Sequence, residues 1–265
     1  VLGVSSTDVN ATSIALLTKA PSGYGIIGLD SVSMSGTASV DSYKSTDGPY
    51  SSSTSQSHGN VASNGNITLG GSAVISGDAA PGPGMSVIGG TITGSTESLK
   101  SPLVKPPLSA DVAQFINNNS LVQQYITKDG SFSISGQKSA TFPAGVYYFQ
   151  DFIASGGAKL DANANGPVTI YVAGDFTLTG GSDAYQGNAA NLRIILLNAG
   201  TSASFSGKSA IYADLYAPLS TVTLTGTTDI YGQLVGKSVT LTGSGSVHYD
   251  EKMTAPFVKK IIVVR

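Results

Sequence analysis

Along most of the chain, apolar and small polar residues alternate within one short recurring phrase. It consists of an apolar residue, a small polar one, a glycine, three variable residues, and then a small or apolar residue. It reads MSGTASV (34–40), LGGSAVI (69–75), ISGQKSA (134–140), LTGGSDA (178–184), FSGKSAI (205–211), LTGTTDI (224–230) and LTGSGSV (241–247). In VTLTG at 222–226 and 239–243, strict alternation puts Val222, Leu224, Val239 and Leu241 on one side of a strand. Thr223, Thr225, Thr240 and Thr242 lie on the other. Phe205 to Leu224 spans 19 residues and Leu224 to Leu241 spans 17, about one turn of a small solenoid. A coil of that size cannot bury its apolar side alone. Stacking at roughly 4.8 Å supplies both the core and the hydrogen bonds. The predicted fold is therefore all-β, a right-handed parallel β-helix with successive phrases directly above one another, in one domain over 1–265. The alternative is an antiparallel sandwich in which each glycine marks a hairpin.

Two stretches interrupt the alternation. Residues 42–64 are nearly devoid of apolar side chains and predict a long surface loop. PLVKPPLS at 102–109 is a proline-marked break. Beyond it Val112, Phe115, Ile116, Leu121, Val122, Tyr125 and Ile126 fit a broken amphipathic α-helix near 109–126, lateral to the stack or capping it, with Ser109 placed to cap its start. NLRIILLN at 191–198 reads as a strand buried on both sides.

Composition narrows the function. Glycine is abundant at 33 residues but follows no triplet, which excludes collagen and indicates many tight turns. With 14 basic and 16 acidic residues, the chain lacks the electrostatic footprint of a nucleic-acid or membrane-surface binder. The absence of cysteine rules out disulfides and thiolate metal sites. No run of 18 apolar residues occurs, so no membrane contact is expected within this chain. Its start, VLGVSSTDVN, lacks the charged region of a secretion signal, so any signal or anchor is expected outside it. Few charges with much Ser, Thr, Gly and Asn suit an exported bacterial surface protein.

The stretches PAGVYYF (143–149), GPVTIYVAGDFTLTG (166–180), YAP (216–218) and IYGQLVGKSVTLTGSGSVHYDEKM (230–253) resemble a bacterial domain of unknown function, DUF7305. That domain occurs in exported proteins, often downstream of a segment like the N-terminal region of the pilus assembly protein PilX. The resemblance runs from about residue 25 to 255. It implies an exported, pilus-associated right-handed β-helix and brings no catalytic residues.

Candidate chemistry is sparse. His248, Asp250 and Glu251 form the densest polar cluster. A His beside two carboxylates suits a metal or acid/base work, but a structural network sealing the last coil is the plainer reading. DANANG at 161–166 opens like a calcium loop, with Asp161, Asn163 and Asn165 as metal candidates. Pro167 and Val172 break that pattern, and an Asn-rich turn accounts for it without calcium or any other cofactor. A polysaccharide-acting β-helix enzyme requires convergent carboxylates. Asp214 and Asp229 come nearest to a pair on neighbouring coils, yet they do not hold equivalent positions. The leading expectation is a non-enzymatic structural or adhesive protein at the bacterial surface. Its partners would be a cell-surface glycan or protein, or pilus components, with Tyr212 and Tyr231 as contact residues. A further alternative is ice binding through the Thr-x-Thr ladders. Against that stands the presence of Ser or Gly at the matching positions of other coils, among them Ser33, Ser35, Ser133, Ser135, Ser204, Ser206 and Gly70.

Overall fold

In the computed structural model, residues 23–109, 117–162, 166–184 and 188–254 are described. They form the expected parallel β-helix, with three faces and a single apolar interior. Face A stacks Phe132–Ser135, Phe152–Ser155, Phe176–Leu178, Ser202–Phe205, residues 221–224, 238–241 and 31–34, then Ile67–Leu69 and Val87–Ile88. Face B stacks Ser139–Phe142, Lys159–Ala162, Asp183–Ala184, residues 210–212 and 229–231, Ser246–Asp250, Ser39–Tyr43, Val74–Ile75 and Thr91–Ile92. Face C stacks Gly145–Phe149, Val168–Val172, Leu192–Leu196, residues 214–216, 234–236 and 26–28, then Val61–Ser63 and Ala79–Ala80.

The coils are not in chain order, which corrects the simple picture of successive phrases piled one on the next. Met34 pairs with Leu241 on one side and Leu69 on the other, so the N-terminal coils continue the stack beyond the C-terminal ones. The chain must then return to the far end before residue 132, and part of that return runs over the outside of face C. There Leu103 and Leu108 cover Ile27, Ile195, Leu197, Tyr216 and Val235. The Tyr216 hydroxyl donates to the Pro106 carbonyl at 2.6 Å, and the Asn64 amide makes paired bonds of 2.9 and 2.6 Å with the Leu103 backbone. The proline-marked stretch is thus a cover, and it explains why 191–198 is apolar on both sides. Each such buried aliphatic side chain contributes about 1.5–3 kcal/mol.

Inside, Phe132, Phe152 and Phe176 stack with centroids 4.5 and 4.8 Å apart. The same row continues as Ala203, Val222, Val239, Val32 and Ile67, all buried. The glycine of the phrase turns the chain out of face A. Gly226 and Gly243 have φ of 76° and 87°, and a Cβ on Gly243 would lie 2.7 Å from the Gly226 carbonyl oxygen. Just past the bend, buried Ser182, Ser209 and Thr228 each donate a hydroxyl to the carbonyl three residues back and close the turn.

One expected boundary shifts. The loop occupies residues 44–60 rather than 42–64, because Tyr43, Val61 and Ala62 are core residues. The described part of 109–126 holds the 3-10 segment Asn119–Tyr125, kinked at Val122. Val122 is buried, whereas Leu121 is 52% exposed. Its polar run is put to use: Asn118 and Asn119 accept hydrogen bonds from the Val146 and Tyr148 amides on the edge of the first coil. Val112, Phe115 and Ile116 lie outside the described residues.

Candidate functional site

Face A carries its outward side chains in straight rows, because parallel pairing keeps equivalent positions in register. One row runs Ser133, Ile153, Thr177, Ser204, Thr223, Thr240, Ser33, Thr68, Ile88. A second row, two residues on, carries Ser206, Thr225, Thr242 and Ser35 in its central coils. It is held by amide bonds such as Thr225 to Phe205 and Thr242 to Leu224, both 2.9 Å. The serines noted in other coils therefore stand in the same ladders as the threonines.

The array is most complete over four adjacent coils. Positions 202, 204, 206 and 208 lie beside 221, 223, 225 and 227, then 238, 240, 242 and 244, then 31, 33, 35 and 37. Of these, only Lys208 lacks a hydroxyl. Rows are about 4.8 Å apart and alternate residues about 6.6 Å apart, so the three positions before the glycine bend give a flat patch of roughly 14 by 13 Å, with 208, 227, 244 and 37 just past the bend. Its edge hydroxyls bond one another across coils, as in Thr37 to Ser244 at 2.8 Å. Carboxyl and amide side chains appear in the flanking coils, at Asp175 and Asn66. Asp175 is occupied in accepting the Ser202 amide at 2.8 Å.

Face B is different. Tyr212, Tyr231 and His248 stack along the axis, with centroids 4.2 and 4.8 Å apart. His248 Nδ1 is 2.6 Å from Asp41, and its Nε2 is 4.0 Å from Asp229. Burial raises the Asp229 pKa, and Asp41 adds to the rise while His248 opposes it. Loop 44–60 lies over the row: Tyr50 packs on His248 at 3.8 Å and donates its hydroxyl to Asp41 at 2.6 Å. Tyr212 is buried, at 7% exposure, while Tyr231 keeps part of its surface.

The polar residues named together from sequence turn to different partners: His248 faces Asp41 and Asp229, while Asp250 and Glu251 hold the start and end of the loop. Asp250 accepts the Ser45 amide at 3.1 Å, and Glu251 accepts the Ser42 hydroxyl and meets His58, both at 2.8 Å. They do not seal an end, since Ser246–Asp250 is paired on both sides. Asp41, Tyr50 and His58 were missed in the sequence because they lie about 190–210 residues from their partners. No signal links such distant positions within one sequence.

The carboxylates Asp214 and Asp229 do not converge. Asp214 pairs in register with Gln233 on face C, Asp229 with Ala210 on face B. Asp214 sits beneath the return segment with Arg193 Nε at 3.2 Å. Burial raises its pKa against the pull of Arg193 and Lys105. Among the described residues no group of three His or acidic side chains is placed to hold a metal. Asp161 lies on the outward side of its strand, and Asn163 and Asn165 fall outside the described residues. No helix of the described residues is long and apolar enough to cross a membrane.

The model of the domain of unknown function DUF7305 matches residues 135–255, which spans the coils from face A's Ser135 to the polar cluster. Among curated proteins, none matches the chain. Among solved structures, the chain is similar to an ice-binding protein from the Antarctic ascomycete Antarctomyces psychrotrophicus, with 18% identity, 86% of this chain and 94% of that one covered, and a TM-score of 0.49. An ice-binding protein from an Antarctic biological consortium shows 16% identity, coverage of 92% and 96%, and a TM-score of 0.49. An ice-binding protein from an Arctic yeast shows 16% identity, coverage of 92% and 95%, and a TM-score of 0.38.

Proposed function

We propose that the protein is a non-enzymatic, extracellular surface-binding protein that adsorbs to ice through face A. The observation that carries this reading is the four-coil array in which every outward position but Lys208 bears a hydroxyl. Ice presents a rigid lattice of donors and acceptors, each forming a weak contact. An array already fixed by main-chain ladders sums many such contacts without ordering flexible side chains on binding. Charged groups would hold their own hydration shells at such an interface. Thr223, Thr225, Thr240 and Thr242 lie at the centre of the array, and their methyl groups add apolar area between hydroxyls.

An array of hydroxyls offers no base or acid for turnover, which supports a binding role for this face over an enzymatic one. A bacterial, pilus-associated setting is the finer part of the proposal and rests on the resemblance to DUF7305. Nanolitre osmometry of the purified chain tests the reading, with Thr223→Lys/Thr240→Lys as control. The expected outcome is thermal hysteresis with faceted crystals, lost in the double variant. Round crystals without a freezing gap would remove ice as the ligand.

A further inference from the structure

The row on face B supports an inference independent of face A. We infer that Tyr231, His248 and Asp41 form a carbohydrate site closed by the chain itself, with the Tyr50 ring standing where a pyranose would bind. The Tyr50 ring lies against the His248 ring at 3.8 Å, tilted by 33°, and 5.5 Å from Tyr231. Its hydroxyl donates to Asp41 Oδ2 at 2.6 Å. A flat ring face on an aromatic row, with an edge hydroxyl donated to a carboxylate, is the pair of contacts that a sugar ring makes.

Beneath the loop, the Tyr43 hydroxyl and Asp250 Oδ2 are fully buried without a hydrogen-bond partner, which is costly unless something else supplies one. Ligand hydroxyls entering under a displaced loop would supply it. The loop is suited to displacement. Between its ties at Ser45 to Asp250 and Gln56 to Ser42, it holds the solenoid through Tyr50 and Ser55, both on Asp41. Asp41, Asp229 and Asp250 make the site unfavourable for acidic sugars and select neutral ones.

The test compares wild type with Tyr50→Ala by calorimetry and by tyrosine fluorescence, which the absence of tryptophan leaves unobscured. The probes are cellohexaose and chitohexaose, with hexagalacturonate as the acidic control. Tyr50→Ala is expected to bind at least one neutral oligomer about tenfold more tightly than wild type and to ignore the uronate. Adding Tyr231→Ala is expected to abolish that gain. Tyr50→Phe, which keeps the packing and drops only the donated hydroxyl, should show a gain of a few-fold and guards against misfolding of the alanine variant. No gain in either variant, or a gain indifferent to Tyr231→Ala, overturns the site. Thr223→Lys/Thr240→Lys should leave sugar binding unchanged, so failure of the ice reading remains distinguishable.

Discussion

Within one coil, the strand Leu192–Leu196 on face C and the strand Ser202–Phe205 on face A share the same interior but carry opposite exteriors. On face C the outward Ile195 is 1% exposed beneath the return segment, while on face A the outward Ser204 faces solvent beside Thr177 and Thr223. The inward rows are dictated by the need to bury a core, so they resemble each other on every face. The outward rows record what each face meets: covering chain on C, the loop with Tyr50 on B, and no described segment on A. A neutral hydroxyl row kept bare over adjacent coils is therefore the feature that packing alone does not demand.

The frame shared by both faces is the most sensitive place to disturb. Gly243→Val combines a backbone at φ 87° with a Cβ 2.7 Å from the Gly226 carbonyl oxygen, and is expected to cost about 3 kcal/mol or more by denaturant unfolding. Next comes a direct test of the contrast within the coil. Ile195→Asp buries a charge under the return segment and should cost about 3 kcal/mol, whereas Ser204→Asp should stay within about 0.5 kcal/mol. Equal losses at both positions would mean that face A is also covered.

Tyr216→Phe sharpens the comparison from the covered side. Loss of the bond to Pro106 should cost about 1 kcal/mol at neutral pH. Burial pushes the Tyr216 phenol up from 10.0 to about 12, so the folded state holds this proton more tightly than the unfolded state. The corresponding stability is complete below pH 10 and is lost as pH rises through about 12, by about 2–3 kcal/mol. The phenylalanine variant should show a shallower alkaline limb, and an unchanged limb would remove Tyr216 from the account. The smallest stability effect is expected at Thr240→Lys, within about 0.5 kcal/mol, where only surface binding should change.

Much of this was legible in the sequence. Alternation in VTLTG fixed which side of each strand is buried, the glycine of the phrase marked the bends, and NLRIILLN announced a strand apolar on both sides. The order of coils was not legible, because every copy of the phrase offers nearly the same edge. Nothing in MSGTASV says that Met34 stacks on Leu241 as well as on Leu69. The role of PLVKPPLS as a cover followed from that order and was hidden with it. The Thr pairs were visible, but only the register shows that Ser33, Ser35, Ser204 and Ser206 extend their rows. Tyr50 was invisible as a site residue, since a lone aromatic in a polar loop carries no sign of the imidazole it covers.

If face A is the adsorbing face, adsorption to ice itself is what should be measured. Fluorescently labelled wild type and Thr223→Lys/Thr240→Lys are each allowed to adsorb to a single-crystal ice hemisphere, with unfolding midpoints compared in parallel. The account predicts bright, plane-selective labelling by wild type and a dark hemisphere with the equally stable variant. Equal labelling by both proteins, or none by wild type, would contradict it.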